Sequence, residues 1–151
     1  MKFINQGIKA LMLMFFLGSA SAHAADQIYT GFFNNKAVSG YDVIAYFDQA
    51  KPVEGSSKYK LEYKGADWYF SSQANLDKFT ANPEKYAPQY GGHCSWAMSK
   101  NKVAPGNAPF WTVYNDKLYL NYDQNVLDKW RADKDAAIKK ADANWASMEK
   151  E

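Results

Sequence analysis

A hairpin followed by a helix is written twice into this chain, and that repetition restricts the folds open to it. Tyr59, Leu61 and Tyr63 alternate with Lys58, Lys60, Glu62 and Lys64, the period of a half-buried strand. Lys64-Gly65-Ala66-Asp67 turns the chain, and Trp68-Tyr69-Phe70 returns as the second strand. Ser71 or Ser72 is placed to cap a helix running to about Thr80, with Leu76 and Phe79 on its buried face. Further on, Phe110-Trp111-Thr112-Val113-Tyr114 and Leu118-Tyr119-Leu120-Asn121-Tyr122 read as strands joined at Asn115-Asp116. Asp123 then caps one long helix to about Met148, with an apolar stripe that includes Leu127, Trp130, Ala141 and Trp145. Tyr69 to Phe79 aligns with Tyr119 to Trp130 with one residue inserted, and both end in Leu-Asp-Lys-aromatic. Duplication and two solutions to one packing problem both remain open. Either way the expected class is α+β: a small antiparallel sheet built from two β-hairpins, flanking helices and a long C-terminal helix.

The chain is 151 residues long, which suits one domain. Its first residues have a different character. Lys2 and Lys9 precede the apolar run Ala10 to Leu17, and Gly18 to Ala24 are mostly small. This is the layout of a secretory signal peptide, and the run is too short to span a bilayer. The expectation is a signal peptide over residues 1–24, an arm over 25–37, and a single domain over 38–151. A periplasmic or secreted protein follows from that. Cleavage removes Lys2 and Lys9 and no acid, so basic and acidic side chains become equal in number. A chain so balanced has no electrostatic basis for binding nucleic acid, and no second apolar run is long enough for a membrane span.

Three stretches are less regular. Tyr41 to Phe47 is apolar at helical spacing but short, so a short docked helix is expected there. Asn82-Pro83-Glu84 is a helix start, with Asn82 as the expected cap. Residues 88–109 carry three prolines and three glycines and show no periodicity, which marks a segment ordered around something. Cys94, the single cysteine, lies within it, next to His93. One cysteine excludes an internal disulfide. In an oxidising compartment it must be buried, bound or reactive.

The run Tyr63-Lys64-Gly65, Trp68 to Ser72, Phe79 and Asn82-Pro83-Glu84-Lys85-Tyr86 resembles the YHS domain family over about residues 38–98. Within it the chain is most similar to exported bacterial members, which carry a Tyr-Gly-Gly-x-Cys segment, here Tyr90-Gly91-Gly92-His93-Cys94. The resemblance implies a small α+β unit and heavy-metal binding. Metal-binding relatives have cysteines at three places where this chain has Ser39, Ser71 and Asn75. A hydroxyl is a poor donor to a soft ion, so a metal here would need a site rebuilt around Cys94.

Gly91-Gly92 permits a tight turn, and a helical turn starting at Ser95 would put Cys94 and Met98 on one face. Thiolate, thioether and imidazole suit Cu(I), which accepts two or three ligands, and not structural zinc, which needs four. The expected metal residues are therefore Cys94, His93 and Met98, with a copper ion as the expected cofactor. Two other readings stay open: a redox thiol at Cys94, and a small-ligand module in which Cys94 is incidental. No nucleotide loop, zinc-protease helix or catalytic triad is written in the sequence, so a non-catalytic protein is expected.

Overall fold

The structure is a computed structural model and describes residues 28–150. The expected signal peptide, its cleavage after Ala24 and the start of the arm lie outside the described residues. The elements in chain order are α1 (Val43–Asp48), β1 (Ser56–Tyr63), β2 (Ala66–Phe70), α2 (Gln73–Ala81), α3 (Pro83–Tyr86), α4 (Ser95–Ser99), β3 (Asn107–Tyr114), β4 (Lys117–Asn121), α5 (Gln124–Ala132) and α6 (Lys134–Met148). Short 3-10 turns at Ala37–Gly40 and Gln89–Gly92 lead into α1 and α4. The class is α+β, and each hairpin is its own two-stranded antiparallel sheet.

The repeat is more extensive than the sequence suggests. Val38, Ser39 and Gly40 all take positive φ, and so do Tyr90, Gly91 and Gly92. Tyr41 N donates to Val38 O at 2.9 Å and His93 N to Tyr90 O at 3.0 Å; Asp42 N donates to Val53 O and Cys94 N to Ala104 O, both at 2.8 Å. Both hairpins slip register early, between Ser56 and Lys60 in one and between Asn107 and Trp111 in the other. Both turn through left-handed residues, Lys64-Gly65 and Asn115-Asp116, as tight hairpin loops require. Ser72 caps α2 through Asn75 N, and Asp123 caps α5 through Val126 N. The unit of residues 37–81 is thus repeated in residues 89–132. Ser56 pairs with Phe70 as Asn107 pairs with Asn121. Phe70 therefore corresponds to Asn121 and Phe79 to Trp130, with no residue inserted. The expected alignment was one residue out at its start.

Four local expectations change. The helix expected from Asp123 to Met148 breaks at Asp133 (φ −140°, ψ 38°) into α5 and α6. Asn82 makes no side-chain cap, so α3 owes its start to Pro83 at the first helical position. The pattern-free stretch 88–109 holds a 3-10 turn, α4 and the start of β3. Left-handed residues interrupt any periodicity there. The arm is tied down where it is described, by Tyr29 N donating to Gly91 O at 2.8 Å.

Two apolar clusters share β4 as a wall. Leu118 and Leu120 face Val43, Ile44, Trp68, Phe70 and Phe79 of the first unit. Tyr119, on the other face, packs with Met98, Leu127, Trp130 and Ala141. A strand buried on both sides reads as a continuous apolar run, which Leu118-Tyr119-Leu120 is. Corresponding rings pack alike: Trp68 on Phe79 at 4.9 Å between centroids, Tyr119 on Trp130 at 5.1 Å. The units interlock through Tyr46, whose hydroxyl donates to Ala108 O at 2.8 Å while its ring meets Trp111.

Buried phenols give the fold an alkaline limit. Burial pushes Tyr119 up to about 12. It raises Tyr46 further, with Tyr41 adding to the effect, and Tyr90 likewise, helped by a hydroxyl that donates to Asp142 Oδ1. A folded-state pKa above the unfolded value of 10.0 stabilises the neutral form. That stability is complete below the unfolded pKa and is lost as pH rises through the folded one. The melting temperature should therefore fall steeply above about pH 10. A melting temperature still flat at about pH 11 would contradict this account.

Candidate functional site

Asp42 and Cys94 occupy the same place in the two units: each follows a left-handed 3-10 turn and immediately precedes a helix. Both are fully buried. Their surroundings have diverged.

In the first unit the position is closed. Asp42 Oδ1 accepts from Ile44 N at 2.9 Å. Asp42 Oδ2 accepts from Ser71 N at 2.8 Å, Ser71 Oγ at 2.6 Å and Asn75 Nδ2 at 2.8 Å. Ser71 and Asn75 are two of the three residues that replace the cysteines of metal-binding relatives. They are spent on holding a carboxylate. Ser39, the third, is exposed and apart from them. By residue type Asp42 reads as a turn residue, which gives no sign of this network. The available signal was its place directly before an apolar helical run, which is where caps are found.

In the second unit the thiol stands where the carboxylate would. Burial pushes the Cys94 thiol up from its ordinary value, against the opposing effect of the backbone at Ala97, Tyr122 and Trp96. Sγ also donates to Asn121 Oδ1 at 3.6 Å, a long contact suited to a weak S–H donor. Three positions that are apolar in the first unit carry polar atoms here. Val43 becomes Ser95, Phe70 becomes Asn121 and Phe79 becomes Trp130, by the correspondence above. Ser95 Oγ, Asn121 Nδ2 and Trp130 Nε1 are buried without a hydrogen-bond partner. Polar groups placed in a core without partners cost stability, and one of the three, Asn121, touches the thiol.

The three sequence-predicted ligands are differently housed. Cys94 lies before α4, as expected. Met98 follows on the next turn, its N–H donating to Cys94 O at 3.0 Å and its side chain fully buried in the second cluster. His93 presents its ring to Tyr29 and Trp145, at 5.5 and 6.2 Å between centroids. The imidazole lies in an aromatic setting beside a cleft lined by Ile28, Tyr29 and Phe32. Tyr90, Gly91 and Gly92 form the left-handed turn that delivers Cys94 to its position. Among the described residues no three of the His, Cys, Asp and Glu side chains are grouped to hold a metal ion. Also among the described residues, no helix is long and apolar enough to cross a membrane.

Neither the curated proteins nor the solved structures give a match to this chain. The family model of the YHS domain does, over residues 44–90. That span begins in α1 and ends at Tyr90, where the second unit starts, so the match covers the first unit from α1 onward and the link to the second. With the hairpin, the capped helix and the Asn-Pro-Glu-Lys-Tyr link all inside it, the chain is a YHS domain-containing protein.

Proposed function

We propose that this is an exported, non-catalytic binding protein that holds a soft metal ion, Cu(I) in character, at the Cys94 thiolate. The family expectation of copper-related metal binding supports the class of ligand. The observation that carries the location is the buried Cys94 sulfur, which stands 3.6 Å from Asn121 Oδ1 in the position where the other unit keeps a fully bonded carboxylate. Met98, one helical turn along in α4, is the second soft donor. A two-sulfur site suits Cu(I) and falls short of the four ligands of structural zinc. His93 contributes least, because its ring is engaged with Tyr29 and Trp145. Export rests on the basic start, apolar run and small residues of positions 1–24.

The test is anaerobic competition against a Cu(I) chelator, on wild type and Cys94→Ser in parallel. Wild type should take one equivalent, and Cys94→Ser should bind about a hundredfold more weakly or worse, since a hydroxyl replaces the soft donor. Binding must displace the thiol proton, so affinity should rise about tenfold per pH unit until the raised thiol pKa is passed. Equal affinity in both proteins, or none in either, would sink the metal reading.

A further inference from the structure

A cleft of about 170 Å3 opens where both units meet the end of α6. It brings together Tyr63 and Lys64 at the first hairpin turn, Glu84 and Tyr90 between the hairpins, and Trp145 and Glu149 at the end of α6. Its apolar surface is aromatic and held in place. Trp68 and Phe79 brace Tyr63 edge-on, at 6.1 and 5.7 Å between centroids, and Trp145 meets Tyr90 edge-on at 6.2 Å. Tyr63 and Trp145 are half-buried, so each ring keeps open surface. The charges of the wall are unequal. Among its described residues Glu84 and Glu149 are acidic and Lys64 is basic, and all three are exposed. The ion pairs among the described residues are Lys60 with Asp67 and Lys78 with Asp48, so neither glutamate is matched by a side chain. Lys64 Nζ lies instead over the Tyr63 ring, 5.7 Å from its centroid. The chain's own ammonium thus already uses one aromatic face, and two carboxylates are left to a ligand.

We propose that this cleft binds a small organic cation, a primary ammonium on an apolar or aromatic body. The ammonium is held by Glu84 and Glu149, and the body lies against Trp145 and Tyr63. One positive charge balances the wall, in which two carboxylates face one ammonium. Electron-rich ring faces attract a cation and give an aromatic body its stacking surface. A bare inorganic cation would leave the rings unused, and an organic acid would meet two like charges. The volume is below the about 300–1,000 Å3 of drug-sized sites, so the ligand is a small amine and not a peptide. The cleft is separate from Cys94, and the proposal does not depend on the metal reading.

The experiment is a titration of the full chain with 2-phenylethylammonium at pH 7 and low salt, followed by NMR at the Trp145 indole N–H. 2-Phenylethanol and phenylacetate are the comparison probes: they keep the aromatic body and carry no charge and a negative charge. The ammonium should saturate with a Kd of about 1 mM or below. The alcohol should bind about tenfold more weakly and the acid more weakly still. Glu84→Gln combined with Glu149→Gln should weaken the ammonium about tenfold and leave the alcohol where it was. Lys64→Gln removes the competing charge and should tighten the ammonium about threefold. All three positions are exposed, so these variants keep the fold, which their melting temperatures check. Added salt should narrow the gap between the ammonium and the alcohol. Equal affinity for the three probes, an unchanged ammonium Kd in the double variant, or no movement of the Trp145 resonance would overturn the proposal.

Discussion

Replacing Asp42 by alanine should cost about 3–5 kcal/mol, enough to unfold much of the population of a domain this size. Four donors converge on that carboxylate: Ile44 N, Ser71 N, Ser71 Oγ and Asn75 Nδ2. Alanine would leave them without their acceptor, Ile44 N fully buried and the Ser71 and Asn75 donors half-buried. Loss of the Ile44 contact also removes the only side-chain cap of α1. Asp42→Asn keeps the size but turns an NH2 group toward donors, and should fall between alanine and wild type. Urea unfolding measures all three. A loss under about 1 kcal/mol for alanine would mean the network is not the closure of the first unit.

Gly106→Ala is the second large effect. An added Cβ there would overlap the carbonyl oxygen of Gly92 and stand 2.8 Å from Leu120 Cβ. A carbonyl cannot rotate away as a side chain can, and Gly92 is itself committed to a φ of +86°. The cost should be about 2–4 kcal/mol, the upper range for overpacking. Gly55→Ala should behave alike, since its Cβ would meet the Tyr69 carbonyl oxygen at 2.6 Å in the corresponding place. Gly65→Ala is the control. Nothing lies within 4 Å of its Cβ, so only the left-handed backbone is penalised, at about 1 kcal/mol. Chemical denaturation of the three variants separates these terms, and a Gly106→Ala loss no larger than that of Gly65→Ala would refute the close approach.

Alternation and capping residues made the hairpins and the helices after them legible. Tyr59, Leu61 and Tyr63 could only be one face of a strand, and Ser72 and Asp123 precede helical spacing. Cys94 was placed before α4 for a comparable reason, because two glycines end one element and Ser95 to Met98 begin another. What was not legible depends on contacts across the chain. Asp42 reads as a turn residue because turns and caps draw on the same side chains; only burial against Ser71 and Asn75 separates the two. Asn82 carries the residue type of a cap and does not act as one. Residues 88–109 showed no period because Tyr90, Gly91 and Gly92 are left-handed, and left-handed residues break the repeat on which periodicity depends. The polar atoms at three positions of the second unit were invisible for another reason. Ser95, Asn121 and Trp130 become notable only when set against Val43, Phe70 and Phe79, and that comparison needs the correct offset between the units.

The sharing of β4 bears on how such a chain reaches its native state. Neither half can finish alone: Leu118 and Leu120 complete the first cluster, and Tyr119 on the opposite side of the same five residues completes the second. During synthesis the first unit leaves the ribosome with its inner surface uncovered, and the Tyr46 hydroxyl has no carbonyl to meet until Ala108 arrives. Full burial of either cluster therefore requires β4, in the last third of the polypeptide, which couples the stability of the two units. A copy that cannot stand by itself is free to exchange core residues so long as their shared strand stays apolar on the side facing its neighbour. The second interior accordingly holds a thiol and a carboxamide where the first holds a carboxylate and a phenyl ring.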